Sequence, residues 1–263
     1  MSLRSLAVRV LDDVLERTCA PIEPAGRALV LAPHPDDETL GCGGTVARLR
    51  AQGHPVSVIA FTDGRGSHPN HADPDELVRQ RANELLNAAH CLGLRSEDVQ
   101  AWNFPDGALR QHEALAVRRL RAAVDELRPE TLFVPLPVGE HPDHIAAYWI
   151  ARSALRGTGT GLDVFEYPVW FWRHAPWVSP PPGQRRALLR TSLARGFGAQ
   201  ALSVLNAKVD VRSQLDAKRR ALAAHASQVA DPSGAAAGLR TVCDGTFLAR
   251  FFTGTEFFRR SAW

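Results

Sequence analysis

Ala28-Leu29-Val30-Leu31-Ala32-Pro33-His34-Pro35-Asp36-Asp37-Glu38 joins an unbroken apolar run to a cluster of acid–base groups. A strand that is apolar at every position is buried on both faces, as in a parallel α/β sheet. Such sheets place ligand and catalytic groups just past the carboxyl ends of their strands. The stretch Ala32 to Gly44 therefore reads as one half of a metal site. The other half is expected far along the chain.

Working outward, Leu3, Leu6, Val10, Leu11 and Val14 recur at helical spacing, so Leu3 to Leu15 predicts an amphipathic leading helix. Pro21 and Pro24 end it. After the quoted strand, Gly41 to Gly53 predicts a helix with Val46 and Leu49 inward. Val56 to Phe61, Val99 to Phe104, Thr131 to Leu136 and Val164 to Val169 predict strands. Asp75 to Leu92, Leu115 to Leu127 and a segment ending at Leu155 predict the helices between them. Strand–helix alternation means βαβ units and a mostly parallel sheet. Thr62 to Pro74 reads as a loop, Pro105-Asp106-Gly107 as a turn and Pro180-Pro181-Pro182 as a surface loop. Asp216 to Ala226 predicts a late helix, and the aromatic-rich Thr246 to Phe258 is expected to pack back on the domain. Residues 1–263 read as a single domain, with the leading helix in 1–24 and a less regular part in 160–263.

A hydrophobic content of 45% and a charged content of 22% are ordinary for a globular protein. A formal net charge of +3 without a block of like charge argues against a nucleic-acid partner. Cys19, Cys42, Cys91 and Cys243 have no Cys-x-x-Cys spacing, which argues against a disulfide framework or a thiolate zinc site. No stretch reaches the length of a membrane span, and the N-terminus lacks the apolar core of a secretory signal. A cytoplasmic location is the expectation.

The second constellation is His141-Pro142-Asp143-His144, which also follows an apolar strand. Pro suits the first helical position, so His141 is a natural cap and His144 lies in the first turn. Three residues apart at a helix start, the two rings can face one side. Asp143 can orient a ring. Alone, His-Pro-Asp is ordinarily a turn and His-x-x-His ordinarily surface. Both at strand ends of one α/β sheet make a metal site the better reading. Asp36 and Asp37 are adjacent and cannot point the same way, so one can bind a metal while the other takes a proton from water.

The sequence resembles the PIG-L/LmbE-like zinc-dependent N-deacetylases, through His34-Pro35-Asp36-Asp37-Glu38 with Gly41 to Gly44 and through His141-Pro142-Asp143-His144. Arg81, Glu84, Ala88, Leu92-Gly93, Pro105-Asp106-Gly107, Lys218, Ala221, His225, Ser227 and Gln228 add weaker matches. The resemblance implies a Rossmann-like three-layer fold and hydrolysis of an N-acetyl amide on an amino-sugar conjugate of the N-acetylglucosamine type. It implies His34, Asp37 and His144 as metal ligands and Asp36 as general base. It implies that His141 meets the oxyanion or the leaving group, with Asp143 orienting a His. Zn2+ is the implied metal, with Fe2+ or Co2+ suited to the same donors. Self-association is a further implication, by analogy with relatives.

Other features stay open at this level. Arg81 and Glu84 fit a structural ion pair on a helix better than a substrate contact. Glu38 either caps the next helix or supports the site, Cys42 reads as packing, and His225 reads as a packed helix residue, with a place bordering the site as the alternative. Trp170, Phe171, Trp172 and Trp177 read as a hydrophobic cap on the sheet, with a stacking wall for substrate as the alternative. A nucleotide-binding oxidoreductase is disfavoured because Val46 stands where G-x-G-x-x-G needs glycine. An amidase for another N-acyl or thiol-conjugate substrate and a non-catalytic carbohydrate-binding relative are the remaining alternatives.

Overall fold

A computed structural model describes residues 2–68, 72–139, 141–157, 161–179, 185–229 and 238–263. Ser2 caps helix α1 (Leu3–Thr18), its hydroxyl accepting the Ser5 N–H. A short strand β1 (Ala20–Pro21) follows, then β2 (Ala28–Ala32) and α2 (Asp37–Ala51). The chain continues through β3 (Val56–Thr62), α3 (Pro74–Cys91), β4 (Val99–Phe104), α4 (Glu113–Leu127), β5 (Thr131–Pro135), α5 (Pro142–Leu155) and β6 (Asp163–Tyr167). The later part adds α6 (Arg185–Ala194), α7 (Ala199–Val204), β7 (Ala207–Asp210), α8 (Leu215–Ala224), α9 (Ala226–Val229), α10 (Thr246–Ala249) and β8 (Thr255–Ser261).

These strands form one eight-stranded sheet in the order β1-β7-β8-β6-β5-β2-β3-β4. β8 is antiparallel to both neighbours, and every other pairing is parallel. The expected mostly parallel sheet is thus present. Alternate strand residues feed two cores. Leu29, Leu31, Ile59 and Leu132 pack with α4 and α5 residues such as Leu120 and Ile150. Val30, Val58, Phe133 and Phe165 pack with Leu40, Val46, Ala88 and Leu222 from α2, α3 and α8. The result is three layers. β3 and β4 lie on one side of β2, and β5 and β6 on the other. Strand order therefore reverses between β2 and β5, where open α/β sheets leave a crevice for ligand.

Two expectations need correction. The helix after β2 starts at Asp37 rather than Gly41. His34 O accepts the Asp37 N–H at 3.2 Å and Asp36 O accepts the Leu40 N–H at 2.9 Å. Acidic residues suit a helix N-terminus, where unpaired amides concentrate positive charge. The less regular C-terminal part also supplies β7 and β8 to the sheet, neither foreseen as a strand. The Pro180 to Pro182 expectation lies outside the described residues.

α2 is buried along nearly its whole length, and its backbone departs from helical geometry at Cys42. The Gly44 N–H and the Leu40 carbonyl, partners in regular i→i−4 pairing, find other company. Glu256 of β8 accepts the Gly44 and Thr45 N–H groups, each at 2.8 Å. Lys218 of α8 donates to the Leu40 carbonyl at 3.0 Å and to Glu256 at 2.7 Å. A buried ion pair is thereby set into the helix beneath the site. Close approach demands glycine here: a Cβ on Gly44 would lie 2.6 Å from Val211 Cβ.

Candidate metal and catalytic site

The two foreseen constellations meet at the crevice. β2 delivers His34, and the first turn of α2 delivers Asp37. β5 leads to His141, which caps α5, its Nδ1 accepting the Asp143 N–H at 3.3 Å. His144 lies one turn in and is fully buried. Asp37 Oδ2 is the meeting point, 3.1 Å from His34 Nδ1 and 3.1 Å from His144 Nε2. Tetrahedral zinc with bonds of 2.0–2.1 Å sets its donors about 3.3 Å apart. Two imidazole nitrogens and a carboxylate at this spacing fit a divalent cation.

His34 Nε2 faces Asp106 Oδ1 at 3.1 Å and Asp143 Oδ2 at 3.3 Å. Burial alone would depress this ring's pKa, but hydrogen bonds to Asp106, Asp143 and Asp37 raise it well above the ordinary value. Asp143 also accepts the Gly107 N–H at 2.7 Å and the Leu109 N–H at 3.2 Å, so its orientation is fixed. His34, His141 and Asp143 form a second close group. Those two amides already saturate much of Asp143, which suits it to orienting His34 rather than to binding a cation. Burial, then the charge of His34, lowers the pKa of His141. A neutral His141 with an accepting Nδ1 carries its proton on Nε2.

Asp36 adopts φ 133° and ψ −24°, a region that costs a non-glycine residue about 1–3 kcal/mol. Burial pushes its pKa up to about 7, against the pull of the Arg81 guanidinium and with the push of the Asp37 charge. The partner carboxylate behaves oppositely. Burial would raise Asp37, but the adjoining His144 and His34 rings hold it well below the carboxylate range. Two neighbouring carboxylates with proton affinities driven apart have the character of a base and a ligand.

Arg81 departs from expectation. It forms no ion pair with Glu84, which instead accepts from the Ser227 N–H and hydroxyl at 3.0 and 2.6 Å. Arg81 Nη1 donates to Gly64 O and Nη2 to Pro35 O, and Nη2 stands 3.6 Å from Asp36 Oδ2. Helix α3 thus turns this residue toward the site. His225 is buried, with Nε2 2.8 Å from Glu38 Oε1. Glu38 Oε2 accepts the Asp36 N–H at 3.0 Å, so it serves both roles considered for it. Cys42 is buried packing.

A cavity of about 370 Å³ opens over these groups. Its polar lining residues include His34, Asp36, Asp37, Ser67, His68, Arg81, Asp106, His141 and Gln228, and its apolar ones Leu40, Trp170, Leu239 and Val242. Asp106 was given no role from sequence, although a Pro-Asp-Gly turn at the end of β4 places it where site residues belong. The aromatic cluster divides. Trp172 and Trp177 are buried edge to face, and the Arg250 guanidinium lies 4.2 and 4.4 Å from their ring centres. Trp170 stacks on Phe247 at 5.2 Å and lines the cavity.

The model of the PIG-L family, described as GlcNAc-PI de-N-acetylase, matches residues 29–155. A 1D-myo-inositol 2-acetamido-2-deoxy-alpha-D-glucopyranoside deacetylase from Rhodococcus erythropolis (strain PR4) is 31% identical over 255 residues, covering 80% of this chain and 84% of its own. A diacetylchitobiose deacetylase from Thermococcus kodakarensis is 29% identical over 143 residues, covering 53% of this chain and 52% of its own. Among solved structures, N,N'-diacetylchitobiose deacetylase from Pyrococcus horikoshii shares the fold. Its TM-score is 0.67 at 20% identity, covering 99% of this chain and 93% of that one.

Proposed function

The chain belongs to the PIG-L family, and from that premise we propose that it is an N-deacetylase that hydrolyses the acetamide of an amino-sugar conjugate. The observation that carries this reading is the Asp37 carboxylate, 3.1 Å from both His34 Nδ1 and His144 Nε2, with Asp36 beside it on one cavity. In this reading His34, Asp37 and His144 hold the metal, with Zn2+ the first choice and Fe2+ or Co2+ the alternatives. When bound, the ion polarises the amide carbonyl and makes water acidic enough to attack near neutral pH.

The protein's own groups do the rest. Asp36 takes the proton of the attacking water, a task suited to a carboxyl pushed up to about 7. Asp106 and Asp143 fix the His34 ring through Nε2, which leaves Nδ1 for the cation. His141 offers an Nε2–H to the oxygen on which negative charge develops. The departing amine receives its proton from Asp36, which returns the carboxylate to its starting state. Ser67 and Gln228 provide hydrogen-bonding partners for sugar hydroxyls in the cavity.

The apolar lining residues favour one variant of this reading, in which the conjugate carries an apolar acyl group or aglycone against Trp170, Leu239 or Val242. Amine release from a panel of N-acylated glucosamine conjugates tests both. In Asp36→Asn the metal content should stay at the parent level while turnover drops by about 10²–10⁴-fold. Full turnover in that variant removes Asp36 as base. Loss of the metal means that the two carboxylates have exchanged roles.

A further inference from the structure

The Pro35–Asp36 peptide unit is gripped at both ends. Its carbonyl accepts from Arg81 Nη2, and its N–H donates to Glu38 Oε2 at 3.0 Å. In a trans peptide these two groups point opposite ways, so the plane cannot rotate without breaking one bond. That plane determines φ at Asp36, the residue with the strained backbone. Glu38 is itself held. Its Oε1 meets His225 Nε2 at 2.8 Å and the Thr39 hydroxyl at 2.6 Å. Glu38 is 0% and His225 1% exposed, so water does not compete for the contact. His225 sits between α8 and α9, more than 180 residues along the chain, and its N–H donates to Leu222 O at 3.1 Å.

We propose that Glu38, locked by His225, is a positioning residue that holds the Pro35–Asp36 peptide and so aims the Asp36 carboxylate. The inference rests on the reading of Asp36 as the base. A merely structural acid at the start of a helix needs neither the second clamp from Arg81 nor a buried imidazole from a distant segment. If the plane relaxes, Asp36 loses its direction while His34, Asp37 and His144 keep theirs. The defect belongs in kcat, not in metal content or KM.

The test is a double-mutant cycle on the metal-loaded full chain, with release of amine from N,N'-diacetylchitobiose as the readout. His225→Leu should retain the metal and KM and lose about 10–100-fold in kcat. His225→Gln, which can still donate to Glu38, should recover most of that loss. In the Asp36→Asn background, His225→Leu should cause little further loss, because the two residues act through one group. An equal loss in both backgrounds overturns the proposal and leaves Asp36 as base. Full turnover of Asp36→Asn alone overturns the base assignment instead. If His225→Leu does not fold, Glu38→Gln enters the same cycle, and parent-like kcat in that variant also overturns the proposal.

Discussion

Asp36 is both buried and next to a second carboxylate, and this has a consequence for stability as well as chemistry. Its folded pKa of about 7 lies above the ordinary value of 3.8, so between these pH values the native protein holds a proton that the unfolded chain has released. Stability from this group therefore falls as pH rises through that window. In chelator-treated protein, Asp36→Asn should raise the melting temperature at pH 7.5 and raise it much less at pH 5. Equal effects at both pH values would mean that Asp36 is charged throughout. The residues of this site were largely legible because His34-Pro35-Asp36-Asp37 and His141-Pro142-Asp143-His144 concentrate rare chemistry at strand ends. Asp106 and Arg81 were harder to see. A Pro-Asp-Gly sequence is an ordinary turn, and an Arg three residues before a Glu is an ordinary helix pair. Only the fold, which brings α3 and the turn after β4 up to the segment following β2, turns them inward.

At the level of elements, the break in α2 depends on two residues from elsewhere. Lys218→Met leaves Glu256 buried without its cation, and loss of one partner of a buried pair costs about 3–5 kcal/mol. Denaturant unfolding should show that loss, and replacing Lys218 and Glu256 together by apolar residues should cost less than Lys218→Met alone. Trp172→Ala opens a space beside Arg250 and should cost about 3–5 kcal/mol while KM stays at the parent value. A raised KM would place Trp172 in contact with substrate. The central strands were readable because each is a continuous apolar run. β7, Ala207–Asp210, mixes Lys and Asp into four residues, and β8 carries Glu and two Arg. Lys208, Glu256, Arg259 and Arg260 are answered by the distant Glu16, Lys218, Glu166 and Asp163, which the local pattern does not reveal. The true start of α2 was hidden for a related reason, since its first residues are acids that also serve the site.

Across the whole molecule, acid sensitivity should follow from His174. Burial, then the nearby Arg195 charge, depresses its pKa to about 4, below the ordinary 6.5. Between those values the unfolded chain binds the proton and the native protein does not. The stability at stake is fully present above about pH 6.5 and falls as pH drops toward 4, by about 2–3 kcal/mol. His174→Gln should flatten this slope in melting curves between pH 7 and 4, and an unchanged slope would assign the acid loss to other groups. β8 has a different kind of importance. It lies between β6 and β7, so without it the sheet falls into two separate pieces. Its Glu256 also completes the helix that begins at the candidate base. During synthesis, then, the ribosome has nearly all of residues 1–254 to release before the keystone strand emerges. Strands β3 to β6 each emerge beside a partner already made, but β6 keeps an open edge until β8 pairs with it. A chain without β8 would expose the β6 edge, a ready template for pairing with another chain.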